Sequence, residues 1–251
     1  MESKNPREEA LEIYRNYYLH GTFRLERYQW TVETFLATCS RKRVLEIGCG
    51  DGGIIQLLKG TNEVFGVDAS ETGIVKLREK GIEGFVLDVS TEPLPFSDDT
   101  FDVVIILETL EHLTNPYYAL MQIRRVLKEG GTLICSVPNP WTGHLYLYPG
   151  LFEFKYFCRF LEQMGFRIQR VLPWEWAPRE TILPPFLRRF KFLRSRYVAG
   201  VLRRLVEKAF RTLGFFPWFC YWLWTFECTN QDKNKPSILE QQCEQTRPKS
   251  V

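Results

Sequence analysis

The chain has 251 residues, of which 45% are hydrophobic and 25% charged, and its formal net charge is +3 at pH 7. This composition excludes a disordered, fibrous or strongly polyionic chain and predicts one sizeable globular core. The charged stretch 1–12 lacks the apolar centre of a secretory signal, and no apolar run reaches the roughly 20 residues of a membrane-spanning helix. Seven scattered cysteines without a C-x-x-C pair indicate reduced thiols, so we expect a cytoplasmic protein.

Apolar periodicity predicts an alternation of strands and helices along the chain. The predicted helices are 8–19, 25–38, 54–59, 70–80, 116–128 and 154–164. The predicted strands are 43–47, 64–67, 84–87, 101–107, 132–137 and 166–172, with a last strand within 215–228. This alternation predicts a Rossmann-like α/β fold, a mostly parallel sheet with helices on both faces.

We interpret residues 1–228 as a single domain followed by a tail. Its parts are N-terminal helices over 1–39, a core over 40–172, a basic amphipathic helical insertion over 173–214 and the last strand over 215–228. The tail, 229–251, is polar and is predicted to be disordered.

A glycine-rich turn follows the first predicted strand, in Glu46-Ile47-Gly48-Cys49-Gly50. Glycines there allow a sharp turn and let a ligand approach the main chain. Asp68 ends the second strand, where a carboxylate can accept both ribose hydroxyls of a nucleotide. Asp88 ends the third strand, where it could accept a bond from an adenine amino group. Acidic residues at one edge of three consecutive strands therefore indicate a nucleotide site.

These residues carry a resemblance to a known family. The segment 46–50 resembles motif I of class I methyltransferases, of the form E-x-G-x-G, and residues 93–104, 107–113 and 126–131 resemble later motifs of the ubiquinone/menaquinone and type-11 branch. The resemblance covers about residues 40–140. It implies a seven-stranded sheet with an antiparallel last strand, and S-adenosylmethionine lying across the carboxyl ends of the first strands.

On this resemblance, the first two glycines of the turn pack beneath the donor and Glu46 organises the loop near its amino-acid end. Asp68 holds the ribose, Asp88 and Val89 face the adenine, and Leu107 lies near the sulfonium. The full set of expected donor-binding residues is Glu46, Gly48, Cys49, Gly50, Asp68, Ala69, Asp88, Val89 and Leu107.

An NAD-dependent oxidoreductase is the rival interpretation. Gly48, Gly50 and Gly53 satisfy G-x-G-x-x-G, and Asp68 follows about 20 residues later, as that fingerprint requires. The acidic residues before the turn and after the third strand argue against it, as does the lack of a recognisable Tyr-x-x-x-Lys proton donor.

The candidate catalysts, His112 and Glu108, directly follow the fourth strand together with Glu111. His112 could act as a general base, because its ordinary pKa is near neutral. The three side chains could instead contribute to a divalent metal site, although no fourth ligand can be assigned. They could also line the donor pocket without taking part in the chemistry. The sequence leaves these three interpretations open.

The positive charge of the chain is concentrated in 179–211, where ten Lys or Arg stand against two Glu. That segment nets +8, so the remaining residues net −5. With the aromatic run that follows, residues 186–224 could form a peripheral membrane contact or a lid on the sheet. RNA contact is disfavoured because the rest of the chain is not basic. The resemblance implies a small or lipid-linked acceptor, methylated at oxygen or carbon, and we expect no nucleic-acid partner. The alternative class is a non-catalytic donor-binding protein at a membrane surface.

Overall fold

The computed structural model describes residues 23–140, 147–176, 205, 208 and 221–231. The predicted helix over 8–19 and nearly all of the basic insertion lie outside these residues. The helices are α1 (Phe23–Phe35), α2 (Ile55–Leu58), α3 (Glu71–Glu79), α4 (Pro116–Val126) and α5 (Phe154–Gln163). The strands are β1 (Arg43–Ile47), β2 (Glu63–Asp68), β3 (Glu83–Val86), β4 (Phe101–Leu107), β5 (Leu127–Pro138), β6 (Phe166–Trp176) and β7 (Tyr221–Asn230). Short 3-10 turns span Leu110–His112 and Pro149–Phe152.

The strands form one seven-stranded sheet in the order β3-β2-β1-β4-β5-β7-β6. The neighbouring strands β3, β2, β1, β4 and β5 are parallel to one another, whereas β7 runs antiparallel to both β5 and β6. The expected Rossmann-like sheet with an antiparallel last strand is therefore confirmed. A dinucleotide-binding dehydrogenase would have a parallel sheet in the order 3-2-1-4-5-6, so this topology argues against the oxidoreductase interpretation.

The central strands are buried on both faces, which explains why they read as nearly continuous apolar runs. On one face, Leu45 and Val104 pack in a core cluster to which α4 and α5 contribute. On the other face, Val44 and Val103 pack with side chains of α1, α2 and α3. Helices thus cover both faces of the sheet. The edge at the carboxyl ends of the strands is the part that remains open to a ligand.

The carboxyl-terminal boundary of the domain differs from the prediction. Strand β7 continues to Asn230, so the expectation of a disordered tail from residue 229 is wrong for its first two residues. Asn230 is buried, and its side-chain amide donates to the carbonyls of Arg124, Leu127 and Lys128, at the end of α4 and the start of β5. A polar residue is tolerated there because it satisfies carbonyls at the helix end. No described helix is long and apolar enough to cross a bilayer.

Candidate active site

The parallel register brings three of the predicted residues to one level at the edge of the sheet. Ile47 pairs with Val67 on β2 and with Ile106 on β4. The next residues along these chains are Gly48, Asp68 and Leu107, at neighbouring positions on strands spaced about 4.8 Å apart. The glycine turn, the proposed ribose carboxylate and the end of β4 therefore meet at the carboxyl edge, where open α/β sheets bind ligands.

The turn after β1 has a backbone that only glycine adopts readily. Gly48 and Gly50 have φ values of +70° and +54°, in the left-handed region that penalises a Cβ. A Cβ on Gly48 would lie 2.2 Å from the Thr109 hydroxyl oxygen, and one on Gly53 would lie 2.3 Å from the Tyr28 ring. The turn is thus enclosed by side chains of α1 and of the segment after β4.

Asp68 ties this turn to the start of α3. One carboxylate oxygen accepts from the Gly50 amide at 2.7 Å, and the other accepts from the Ser70 amide at 2.7 Å. Hydrogen bonds to a carboxylate are among the stronger ones in proteins. The position of Asp68 is therefore fixed relative to the glycine turn.

Glu46 and Cys49 lie beneath the turn. The buried Glu46 carboxylate accepts from the Ile55 amide at 3.3 Å, which joins β1 to the start of α2. Burial raises the pKa of Glu46 well above its ordinary value, and the same cause raises the pKa of the Cys49 thiol. The Cys49 amide donates to the Val67 carbonyl at 3.2 Å and its side chain lies in the core. The Cys49 backbone is thus part of the turn, and its thiol packs in the core.

The residues expected to face the adenine, Asp88 and Val89, lie in the loop after β3 and not in the strand itself. Strand β3 ends at Val86, so Asp88 follows it by two residues. The Asp88 carboxylate accepts from the Ser90 amide at 2.9 Å, and Val89 is buried. Ala69, directly after Asp68, is exposed. The expectation that Asp88 ends the third strand is thus corrected, because the strand stops at Val86 and the Asp88 side chain caps the turn that follows.

Glu108 begins the segment after β4 in an unusual conformation. Its φ is +46°, which is strained for a residue other than glycine and is typical of functional sites. Its carboxylate forms an ion pair with the guanidinium of Arg27 from α1. Arg27 is only 8% exposed, and the pair links α1 to the segment after β4.

Glu111 and His112 lie on the 3-10 turn that follows. Glu111 is fully buried, and burial raises its pKa to about 8, against an opposing effect of the Arg27 charge. The His112 Nε2 atom lies 3.5 Å from a Glu111 oxygen, and the His112 side chain is 25% exposed. His112 is therefore the more exposed member of the pair.

The charges of this arrangement oppose the metal interpretation. Glu108 is paired with Arg27, and burial raises the pKa of Glu111, whereas a metal ligand must be deprotonated. Within the described parts of the chain, no three His, Cys, Asp or Glu side chains are grouped as they would be around a metal ion. No chemical step is therefore assigned to a metal.

Three residues at this edge were not predicted from the sequence to belong to the site, namely Arg27, Tyr28 and Thr109. Arg27 shares one helical face with Thr31 and Phe35, and all three are buried. A charged residue on the apolar face of a helix needs a partner, and this pattern could have identified Arg27. Nothing local marks Tyr28 or Thr109, whose contacts with glycines exist only in the folded chain.

Comparison with known proteins finds methyltransferases among the relatives of this chain. Residues 45–135 match the family described as a methyltransferase domain. The chain is 36% identical over 103 residues to a ubiquinone biosynthesis O-methyltransferase of Maricaulis maris, covering 39% of this chain and 41% of that enzyme. It is 31% identical over 114 residues to a Mycobacterium tuberculosis protein named as a probable S-adenosylmethionine-dependent methyltransferase, covering 45% and 42%. The matched part thus spans about two fifths of the length of these relatives.

The fold agrees over a larger part of the chain. The structure of the [4+2]-cyclase SpnF superposes with a TM-score of 0.57 at 17% identity, covering 82% of this chain and 81% of SpnF. At that identity the likeness concerns the fold alone.

Sheet order, glycine turn and acidic strand ends define an α/β domain whose carboxyl edge is where such sheets bind ligands. The part of the chain that matches the methyltransferase-domain family, residues 45–135, contains this turn and the acidic strand ends.

Proposed function

We propose that this protein transfers a methyl group from S-adenosylmethionine to a small or lipid-linked acceptor, at oxygen or carbon. The observation that carries the proposal is the bond from the Gly50 amide to Asp68, which joins the glycine turn to the ribose carboxylate. The match to methyltransferase relatives supports the same donor. The acceptor class rests on the ubiquinone O-methyltransferase relatives and on the basic segment of this chain.

The charges at the edge of the sheet suit a zwitterionic donor with a cationic sulfonium. Carboxylates favour a nearby cation, and Asp68 and Glu108 supply them at the ends of β2 and β4, on either side of the turn. The Arg27 guanidinium is the natural partner for the carboxylate of the donor, since arginine pairs with carboxylates in two-bond geometry. In this proposal the Arg27–Glu108 pair opens to hold the amino-acid end of the donor.

Methyl transfer from a sulfonium is an in-line displacement with a good leaving group. The protein must hold the acceptor atom about 3 Å from the methyl carbon and exclude water. A hydroxyl acceptor also benefits from a general base. We assign that role to His112, because it is the partly exposed group on the turn after β4. Glu108, released from Arg27 when the donor binds, then faces the cationic part of the donor.

The donor is tested by calorimetric titration with S-adenosylmethionine, S-adenosylhomocysteine and NAD. We expect the two adenosyl ligands to bind, NAD not to bind, and Asp68→Asn to weaken adenosyl binding by roughly 10- to 100-fold, the effect of losing hydrogen bonds to a charged group. Asp98→Asn is the matched control, since Asp98 is exposed and its side chain pairs with Arg125 on the surface of the protein. Binding of NAD alone would contradict the proposal.

The role of His112 as a base is tested by enzyme turnover. An acceptor is first found by screening a panel of phenols and polyprenyl-linked phenols for release of S-adenosylhomocysteine. We expect His112→Gln to lower kcat by about 10²- to 10⁴-fold, the usual contribution of a general base. Its affinity for S-adenosylhomocysteine should change by less than about twofold, because His112 is not assigned to the donor. An unchanged kcat would leave the turn as a lining of the pocket without a catalytic role.

The lipid-linked alternative for the acceptor is tested in the same panel. Of the basic segment the structure describes only Leu205 and Lys208, and Leu205 is 61% exposed. A basic helix with exposed apolar residues binds anionic lipid surfaces. We therefore expect turnover of polyprenyl-linked phenols to rise when vesicles of anionic lipid replace neutral ones. Donor binding without turnover of any acceptor, with or without vesicles, would instead favour the non-catalytic alternative.

A further inference from the structure

A β-bulge in β6 directs Arg170 toward α1. Ile168 pairs with Cys228 and Arg170 pairs with Glu227, so the register shifts between them. In a regular strand, residues two apart face the same side of the sheet. Ile168 packs in the core cluster of α4 and α5, whereas Leu172, beyond the bulge, packs in the cluster of α1 to α3. The extra residue therefore reverses the alternation and turns Arg170 to the α1 side, as bulges commonly do.

Arg170 anchors the carboxyl-terminal end of α1. Its Nη2 donates to the Thr34 carbonyl at 2.9 Å, and its guanidinium carbon lies 4.6 Å from the centre of the Phe35 ring. Its Nε donates to Glu227 at 2.9 Å, which fixes the guanidinium from the other side. A cation at the carboxyl end of a helix is favoured by the helix dipole. The Trp30 and Trp174 rings, 4.7 Å apart, add a second contact between α1 and β6.

The amino-terminal half of the same helix contacts the donor site. Arg27 pairs with Glu108, and the Tyr28 ring lies against Gly53 of the turn. Arg27 and Thr34 are seven residues apart, which is two helical turns or about 10 Å along the axis. We propose that Arg170 is a positioning residue for the donor: by anchoring the end of α1, it holds Arg27 against Glu108 and Tyr28 against the glycine turn. This inference rests on the proposed function of the site.

The test measures the affinity for S-adenosylhomocysteine and the hydrogen exchange of α1 in the full chain. We expect Arg170→Gln to weaken binding about fivefold, within the range of residues that act at a distance, and to speed exchange of the α1 amides without ligand. Arg170→Lys should recover part of the affinity, because it keeps the charge at the helix end. Arg167→Gln is the matched control, an exposed arginine on the same strand.

A double-mutant cycle separates positioning from general loosening of the fold. If Arg170 acts through Arg27, the fivefold loss shrinks when Arg170→Gln is made in the Arg27→Gln background. An equal loss in both backgrounds, or wild-type affinity of Arg170→Gln, overturns the proposal. If the wild type itself does not bind S-adenosylhomocysteine, the proposed function fails, and unchanged exchange of α1 in Arg170→Gln overturns the anchor separately.

Discussion

Gly48→Ala is expected to lower the free energy of unfolding by about 3 kcal/mol, a value typical of steric overpacking combined with backbone strain. The new Cβ would lie 2.2 Å from the Thr109 hydroxyl oxygen and 2.8 Å from its methyl carbon. Thr109 precedes the 3-10 turn of Glu111 and His112, so relief of the clash displaces that turn as well. We therefore also expect S-adenosylhomocysteine affinity to fall by at least tenfold, about 1.4 kcal/mol. Chemical denaturation and calorimetry measure the two effects.

Gly130→Ala is a matched control for this change. Gly130 has a φ of +71°, nearly that of Gly48, but a Cβ there meets nothing within 4 Å. Gly130→Ala should therefore lower the free energy of unfolding by only about 1 kcal/mol, which is the part of the effect that comes from backbone conformation. Removing the clashing atoms by Thr109→Ala in the Gly48→Ala background should recover part of the stability. If the two glycine variants lose equal stability, the Thr109 contact does not constrain the turn.

Glu111→Gln is expected to remove a pH dependence from the stability of the protein. The pKa of Glu111 is about 8 in the folded chain against an ordinary value of 4.5. Between these values the folded state holds a proton that the unfolded state releases. The contribution of Glu111 is therefore fully present below about pH 4.5 and is lost as the pH rises through 8. For a fully buried group this amounts to roughly 3–5 kcal/mol.

The measurement is the free energy of unfolding of both proteins from pH 5 to pH 9. Glutamine resembles the protonated carboxyl, so the variant should match the wild type near pH 5 and exceed its stability near pH 9. Glu129→Gln, at an exposed position, should follow the wild type throughout. A difference between Glu111→Gln and wild type that does not vary with pH would show that Glu111 ionises as an ordinary carboxyl.

The parts of the site that were predicted from the sequence are those encoded by neighbouring residues. Strand β4 was predicted with its observed bounds, 101–107, because its apolar run is continuous. The positive φ values at Gly48 and Gly50 follow from the glycine turn, and Asp68 was placed at the end of β2. Boundaries were less well predicted where tertiary contacts set them, as at the end of β7, where Asn230 satisfies carbonyls of another segment.

The sequence by itself determined the α/β class, the glycine turn and the acidic strand ends, because apolar periodicity and glycine content are local properties. Only the tertiary structure decided what surrounds the turn. Arg27 meets Glu108 across 81 residues, and Arg170 meets Thr34 across 136. Pairs so distant leave no periodic signal, and the bulge that turns Arg170 toward α1 arises from pairing between strands. The register of the sheet and the docking of α1 therefore had to be observed in the folded chain.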